Sequence, residues 1–184
     1  MFLSHILSPY EQLAISFVKE KHRKEWHCHI QFVLHLADRY ASVYDANRDI
    51  VRLSAILHDI GRDQELPEEH HEQAGVRIAS EWMAAQNTTT IDKELVLRCI
   101  ANHGADVSPR TIEEKIVITA DAASKIEFHE AFMLLCKKTT HEERAMWGMN
   151  YLQKGYAKIQ FNEVRSEIDP LYARIKMIYE DVLS

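Results

Sequence analysis

The sequence predicts one all-helical domain over residues 1–184, and three observations support that fold class. Only five glycines and four prolines occur in 184 residues, and the apolar–polar alternation typical of strands is scarce. With 46% hydrophobic and 27% charged residues, the chain can bury a sizeable core. Helix caps also recur ahead of apolar helical runs, at Ser8 with Glu11, Thr111 with Glu114, and Thr140 with Glu143.

The first half of the sequence predicts four helices. Ser8 caps the first helix, with proline at its first helical position. The third helix has apolar residues almost all round it, which predicts that it is central and buried. Gly61 is its expected stop. The expected ranges are 8–20, 26–43, 48–60 and 67–86.

Five further helices are predicted in the second half. A polar turn at 87–90 and a loop at 104–109 separate the first of them from its neighbours. The apolar run 116–118 has strand propensity, but its cap and nearby alanines favour helix. The expected ranges are 91–103, 111–125, 128–135 and 140–158, and a last helix begins at Asp169–Pro170.

Charge and cysteine content narrow the expected partners and compartment. A net charge of −6 argues against a nucleic-acid polymer as the main partner, although a local basic patch can still hold a phosphate. Cys28, Cys99 and Cys136 are widely spaced and fit a reducing compartment. The apolar segment 1–7 is too short for a signal sequence, and no run has membrane-spanning length. We expect a cytoplasmic protein with no membrane partner.

The adjacent pair His58 and Asp59 is the first indication of a metal site. It ends the apolar third helix, just before Gly61. Burying an unpaired carboxylate costs on the order of several kcal/mol, or the group takes up a proton instead. Asp59 therefore requires a counter-charge. A metal ion is a natural partner for an imidazole beside a carboxylate, and a total of eleven histidines supports that interpretation.

Counting along the helix faces identifies further donors that point inward. In the second helix, His29 shares its face with apolar residues, whereas His27 and His35 share polar faces. In the fourth helix, His71 begins an apolar stripe, whereas His70 lies on a solvated face. His29 and His71 are therefore the predicted ligands from these two helices.

His103 and Asp121 complete the candidate set. His103 ends the apolar face of the fifth helix, and Asp121 lies among apolar and small residues of the sixth, with Lys125 one turn away as a pairing partner. Each of these residues alone is more simply a hydrogen-bonded core group or a helix-end histidine. Six such residues together favour a metal site, and nitrogen and oxygen donors suit iron, manganese, zinc, cobalt or nickel.

These residues resemble the signature of the HD superfamily of metal-dependent phosphohydrolases. The matching segments are 29–33 (HIQFV), 55–61 (AILHDIG) and 119–122 (TADA), and the resemblance covers about 26–125. His71, four residues before Gly75, and His103 resemble the extra ligands of the subset that binds two metals. The resemblance implies an HD-type bundle of about seven to nine helices around a central HD helix. The segment 127–184 would pack over its core.

The resemblance also implies which of the two metals each ligand would hold. His29, His58, Asp59 and Asp121 would hold one metal, and Asp59 would bridge to a second metal held by His71 and His103. A metal-activated hydroxide would then attack phosphorus in line, with Asp59 as the catalytic bridge. Residues expected to contact the substrate phosphate are Arg62 and Lys125, followed by the weaker candidates Arg110, Lys154 and Lys158.

Departures from known subfamilies narrow the substrate. His103 is followed by Gly-Ala-Asp rather than by the Gly-Tyr-Pro loop of cyclic dinucleotide phosphodiesterases, and Arg62–Asp63 replaces the Glu-Asp of alarmone hydrolases. The segments around 114–121 resemble the symmetrical dinucleoside tetraphosphatases, but the interval from Asp59 to His71 is short.

We therefore expect hydrolysis of a small, nucleotide-like phosphate compound. A mixed-valent diiron oxygenase on the same ligands and a non-catalytic nucleotide-binding module are alternatives, and a second copy of the chain is a further candidate partner.

Overall fold

A computed structural model describes residues 7–86, 91–104 and 108–184. Within these ranges the chain forms helices and irregular connections, with no strand. The helices are α1 (Pro9–Lys21), α2 (Arg23–Glu25), a π-helical turn (Trp26–Ile30), α3 (Gln31–Val43), α4 (Arg48–Leu57), α5 (His71–Ala85), α6 (Lys93–Asn102), α7 (Ile112–Glu127), α8 (His129–Met133), α9 (His141–Lys158) and α10 (Asn162–Leu183). Because α2, the π turn and α3 run on without a break, the described residues form nine helical units. The predicted all-α bundle is confirmed.

Helix α4 lies at the centre of the bundle, as its pattern predicts. Every residue from Ile50 to Leu57 is buried. The helix packs against α1, α3, α6 and α7, and α3 also packs along α7. Because α4 is apolar on most sides, it can be surrounded in this way, and its buried Arg52 pairs with Glu11 of α1 at 2.8 Å. The end of α4 thus delivers His58 and Asp59 into the middle of the molecule.

The predicted capping boxes are present at three helix starts. The side chains of Ser8, Thr111 and Thr140 accept hydrogen bonds from backbone N–H groups of α1, α7 and α9. In each box the side chain of a glutamate three residues later accepts a hydrogen bond from the backbone N–H of the capping residue. Two otherwise unpaired donors are thus satisfied. These local signals were readable from the sequence because their partners lie only three residues apart.

The start of the last helix was predicted wrongly. Helix α10 begins at Asn162 and contains Pro170, instead of beginning at Asp169–Pro170. Val164 and Ile168, which precede the proline, are buried together with Ile175. Their burial extends the helix through a residue that usually starts or interrupts one, since tertiary packing outweighs the lost hydrogen bond.

Other boundaries move by a few residues. Helix α5 begins at His71 rather than at Pro67, because Glu68 adopts a left-handed backbone with φ of 65° that a helix cannot include. Helix α4 ends at Leu57, and turns continue to residue 63. Helix α6 begins at Lys93, capped by the side chain of Asp92. The predicted turn at 87–90 and part of the loop at 104–109 lie outside the described residues.

The described residues also bear on membrane insertion and on the state of the cysteines. None of the described helices is long and apolar enough to cross a membrane. Cys28 and Cys99 are buried free thiols, and Cys136 is a partly exposed one. The cysteines therefore form no disulfide framework within the described residues, in agreement with their spacing.

Candidate metal centre

The structure brings the six predicted ligands into one cluster. His29 comes from the π turn, a helical form that occurs frequently at functional sites. The others come from the ends of two helices, the start of a third and the middle of a fourth. Five of the six are buried, and the side chain of His71 is 23% exposed. The cluster consists of His29, His58, Asp59, His71, His103 and Asp121.

Asp59 lies between two pairs of histidines. Its Oδ2 atom is 3.4 Å from His58 Nε2 and 3.7 Å from His29 Nε2. Its Oδ1 atom is 3.3 Å from His103 Nε2 and 3.8 Å from His71 Nε2. Two groups of donor atoms, each within 4.8 Å of one another, therefore share this one carboxylate, and both are able to hold a metal ion.

Asp121 extends the first of these groups. Its Oδ1 atom is 2.9 Å from His29 Nε2 and 3.6 Å from His58 Nε2. Asp121 can approach so closely because its neighbours on α7 are small and buried, including Ala120 and Ala122. The first group thus offers two imidazoles and two carboxylates.

Backbone and hydroxyl groups orient the imidazoles. His58 Nδ1 donates to the Ala55 carbonyl at 2.8 Å, and His103 Nδ1 donates to the Ile100 carbonyl at 2.7 Å. Because a carbonyl oxygen only accepts hydrogen bonds, the neutral form of either ring carries its proton on Nδ1 and presents the lone pair of Nε2 to the cluster. His29 Nδ1 lies 3.3 Å from the hydroxyl oxygen of Ser124. Such outer partners fix the orientation of metal-binding histidines.

The inward-facing atoms lack hydrogen-bond partners of their own. Asp59 Oδ1, Asp121 Oδ1, His71 Nε2 and His103 Nε2 are buried without such a partner. Leaving a buried polar atom unpaired costs about 1–3 kcal/mol. Convergence of acceptor atoms on a common space is therefore unfavourable unless a cation lies between them. The donor set fits a divalent transition metal.

Two side-chain cations neutralise the carboxylates. Arg62 Nε lies 2.7 Å from Asp59 Oδ2, and Lys125 Nζ lies 2.6 Å from Asp121 Oδ2. Burial opposes ionisation of both carboxyl groups, but nearby positive charge outweighs it and holds each pKa well below its usual value. Burial lowers the pKa of His29 to about 4, so its ring is neutral at neutral pH, as metal binding requires.

Some residues at the site were missed by reasoning from sequence. Ser124 supports His29, and Glu72 Oε2 lies 3.2 Å from His71 Nδ1. Ser124 follows Asp121 by one helical turn, a spacing that could have indicated it. Trp147 and Tyr151, from the segment expected to pack over the core, line the cleft beside the centre together with Phe132, and no local spacing marked these three positions.

Among the predicted cations, Arg62 and Lys125 line both cavities that open beside the centre. Lys154 and Lys158 line one of them. Arg110 does not belong to the lining of either; its backbone N–H donates to Glu114 at the start of α7. Lys154 and Lys158 therefore lie near the centre, whereas Arg110 is not among the residues that line either cavity.

A helical bundle whose central helix ends in a buried His-Asp pair is characteristic of a class of proteins that includes metal-dependent phosphohydrolases. The chain belongs to the HD domain family, whose model matches residues 26–126. This range agrees with the segment that the sequence motifs cover.

The curated relatives include ribonuclease Y proteins. That of Thermotoga maritima is 30% identical over an alignment of 140 positions, and the match covers 73% of this chain and 26% of the relative. That of Treponema denticola is 28% identical over 77% of this chain and 27% of the relative. The chain thus spans about a quarter of the length of these proteins. Because they are named for action on RNA, they do not support the expectation that a nucleic-acid polymer is no partner.

A solved structure confirms the fold independently. A crystal structure of a structural-genomics target from Lactobacillus plantarum aligns over 97% of this chain and 95% of its own. The TM-score is 0.59 at 16% sequence identity. At that identity the likeness shows a common fold and leaves the activity to be argued from the site.

Proposed function

We propose that the chain hydrolyses a phosphate ester or anhydride of a small nucleotide-like molecule at a two-metal centre. The observation that carries this proposal is the position of Asp59, whose two carboxylate oxygens face different pairs of histidines. One carboxylate can serve two cations in this arrangement. Two adjacent cations suit phosphoryl transfer, since they stabilise both the attacking and the leaving oxygen.

The donor atoms divide naturally into two sets. His29, His58 and Asp121 would hold one metal with Asp59 Oδ2, and His71 and His103 would hold the other with Asp59 Oδ1. Iron, manganese, zinc, cobalt and nickel all suit nitrogen and oxygen donors. When bound, such ions polarise a phosphoryl group and acidify water.

Arg62 and Lys125 would bind the substrate phosphate. Each already lies at the centre, paired with a carboxylate through one nitrogen. A metal ion bound by the same carboxylates would weaken their attraction for these two side chains. The remaining N–H donors would then be available to phosphate oxygens. The guanidinium of Arg62 suits this role because its other nitrogens remain available for a bidentate contact.

Hydrolysis of RNA is the second candidate. It is favoured by the 30% identity to the Thermotoga maritima ribonuclease Y, which extends over 140 residues. An RNA phosphodiester and a nucleotide phosphate would be hydrolysed at the same metal centre. The two substrates differ in the groups attached to the phosphate. The two candidates therefore call for a direct comparison of substrates.

The deciding experiment measures the metal content of the purified protein and its turnover of a substrate panel. The panel contains nucleoside mono-, di- and triphosphates, aryl phosphate and single-stranded RNA, assayed with manganese or iron, with and without oxygen. We expect anaerobic phosphate release from a nucleotide. Oxygen-dependent turnover would favour the diiron oxygenase, RNA cleavage alone would favour the second candidate, and binding of nucleotides without any turnover would favour a regulatory module.

A further inference from the structure

Helix α9 presents four side chains to the cleft beside the metal centre. Trp147, Tyr151, Lys154 and Lys158 are spaced at i, i+4, i+7 and i+11, so they share one face of the helix. Each of them lines a cavity that also contains Arg62 and Lys125. Helix α9 follows the region 26–126 that the family model matches. The face therefore belongs to a part of the chain that the family match leaves undefined.

One half of this face is aromatic. Trp147 stacks on Phe132 with ring centroids 5.3 Å apart and an interplanar angle of 17°. The ring centroids of Tyr151 and Trp147 are 4.6 Å apart. Phe132 in turn meets the ring of His29 edge-on at 5.5 Å. A continuous aromatic wall thus begins at a candidate metal ligand. It lines a cavity of about 230 Å³, below the common range for drug-sized ligands, so it has room for one flat ring system.

The other half is basic. Lys154 and Lys158 line a second cavity of about 220 Å³, together with Arg62 and Lys125. Lys158 Nζ donates to the Gly104 carbonyl at 2.8 Å, which fixes that ammonium group at the edge of the cavity. Lys154 is exposed.

The acidic groups of this second cavity do not cancel its lysines. Asp121 is paired with Lys125, and Glu72 lies against His71. Because a metal-binding imidazole is neutral, Glu72 stays uncompensated by His71, and the two α9 lysines exceed this one carboxylate by one positive charge. Such a cavity favours an anion that continues past the metal site.

Resting on the metal-dependent hydrolysis above, we propose that the α9 face recognises a nucleotide carrying more than one phosphate. The base stacks against Trp147 and Tyr151, one phosphate lies at the metal centre between Arg62 and Lys125, and a further phosphate reaches Lys154 and Lys158. The order of side chains along the helix matches the order of chemical groups in such a molecule. The four residues determine specificity, and the metal ligands determine the chemistry.

A mononucleotide fits these features better than a polymer does. The net charge of −6 provides no general attraction for a polyanion, so binding has to rest on the cleft itself. The aromatic cavity has space for one base, whereas a bound strand needs successive stacking sites.

Substitutions on the two halves of the face separate their contributions. We would compare Trp147→Ala and Trp147→Phe with the double variant Lys154→Gln/Lys158→Gln, using Lys115→Gln on the exposed side of α7 as a control for loss of a lysine charge outside the cleft. The probes are the four nucleoside triphosphates, the corresponding monophosphates and inorganic tripolyphosphate, as substrates or as competitive inhibitors.

We expect Trp147→Ala to raise KM or Ki about 10-fold for both nucleotide series, with tripolyphosphate unaffected and Trp147→Phe close to wild type. The lysine double variant should raise the value about 10-fold for triphosphates and tripolyphosphate, with monophosphates unaffected. Neither change should lower kcat more than about 2-fold, since neither touches the metal ligands. Equal effects on all three probes, or no effect from either variant, would overturn the proposal.

A binding measurement keeps this proposal separate from the proposed hydrolysis. Calorimetric titration with non-hydrolysable imido analogues of nucleoside triphosphates reports recognition without turnover. Loss of affinity in the α9 variants, in a protein that hydrolyses no phosphate compound, would refute the hydrolysis and retain the recognition. Turnover with KM values independent of α9 would do the reverse. A single-stranded oligoribonucleotide that binds more tightly than every nucleotide would overturn the assignment to a mononucleotide.

Discussion

Gly61 and His71 are in such close contact that a β-carbon on Gly61 would lie 2.1 Å from the His71 carbonyl oxygen. The same carbon would lie 2.3 Å from the backbone nitrogen of Gly75. The contact joins the turn after α4 to the first turn of α5. It sets the separation between Asp59, on one side, and the His71 ring on the other, so the glycine serves the geometry of the metal centre.

Replacement of Gly61 by alanine should disturb both stability and the second metal position. The new methyl group meets backbone atoms that cannot move aside, so we expect a loss of about 1–3 kcal/mol or more and a shift of His71. Gly75→Ala is the matched comparison, because its β-carbon would meet the Ile100 side chain at 3.1 Å. Thermal unfolding and metal content would test this; an unaltered Gly61→Ala protein would contradict the close contact.

Asp59→Ala should remove activity and metal together. The change deletes the one carboxylate that both donor groups share. We expect phosphate release to fall at least about 100-fold, with reduced metal content by elemental analysis. Asp181→Ala, an exposed carboxylate on α10, is the control and should behave as wild type. Wild-type rates in the Asp59 variant would refute the mechanism.

His71→Ala and His70→Ala should have opposite outcomes although the residues are adjacent. His71 Nε2 faces Asp59, whereas His70 is exposed and its backbone N–H bonds to Gln73. We expect His71→Ala to lose one of two metal equivalents and His70→Ala to change stability by less than about 0.5 kcal/mol. Metal stoichiometry by mass spectrometry distinguishes them, and exchanged outcomes would show that the orientation of α5 is wrong.

Glu127 should make stability depend on pH. Burial raises the pKa of this carboxyl, partly offset by Arg39, and Tyr40 lies within 3.3 Å of it. The folded protein therefore binds its proton more tightly than the unfolded chain, so stability falls as pH rises from the ordinary value near 4.5 through the raised pKa. Glu127→Gln removes this loss.

The Tm difference between Glu127→Gln and wild type should be larger at about pH 8 than at about pH 5. The comparison cancels the effects of other titrating groups, since these are common to both proteins. A difference that stays constant across this range would show that Glu127 titrates normally.

Much of the centre was predictable because helix periodicity alone separates inward from outward donors. Counting along one helix face distinguished His71 from His70 and His29 from its two histidine neighbours. Asp121 and Lys125 were likewise paired by a spacing of four residues, and they lie 2.6 Å apart. In each case the information is local to one helix.

Features that depend on contacts between helices were not predictable in this way. Pro170 is accommodated within α10 because buried residues before it hold the helix together. The role of Gly61 follows from the approach of α5, and a glycine that stops a helix has the same appearance in sequence. The wall formed by Trp147 and Tyr151 requires α8 and α9 to be packed beside the centre, which no spacing along the chain encodes.

The six donors lie far apart along the chain, from position 29 to position 121, and this has a consequence for folding. Long loops must close before a complete donor group exists, so the ions should join only after most native contacts have formed. Bound metal should therefore slow unfolding with little effect on the folding rate. Ion at about 100 times its dissociation constant would add about 2.7 kcal/mol to the native state, largely as longer native lifetime.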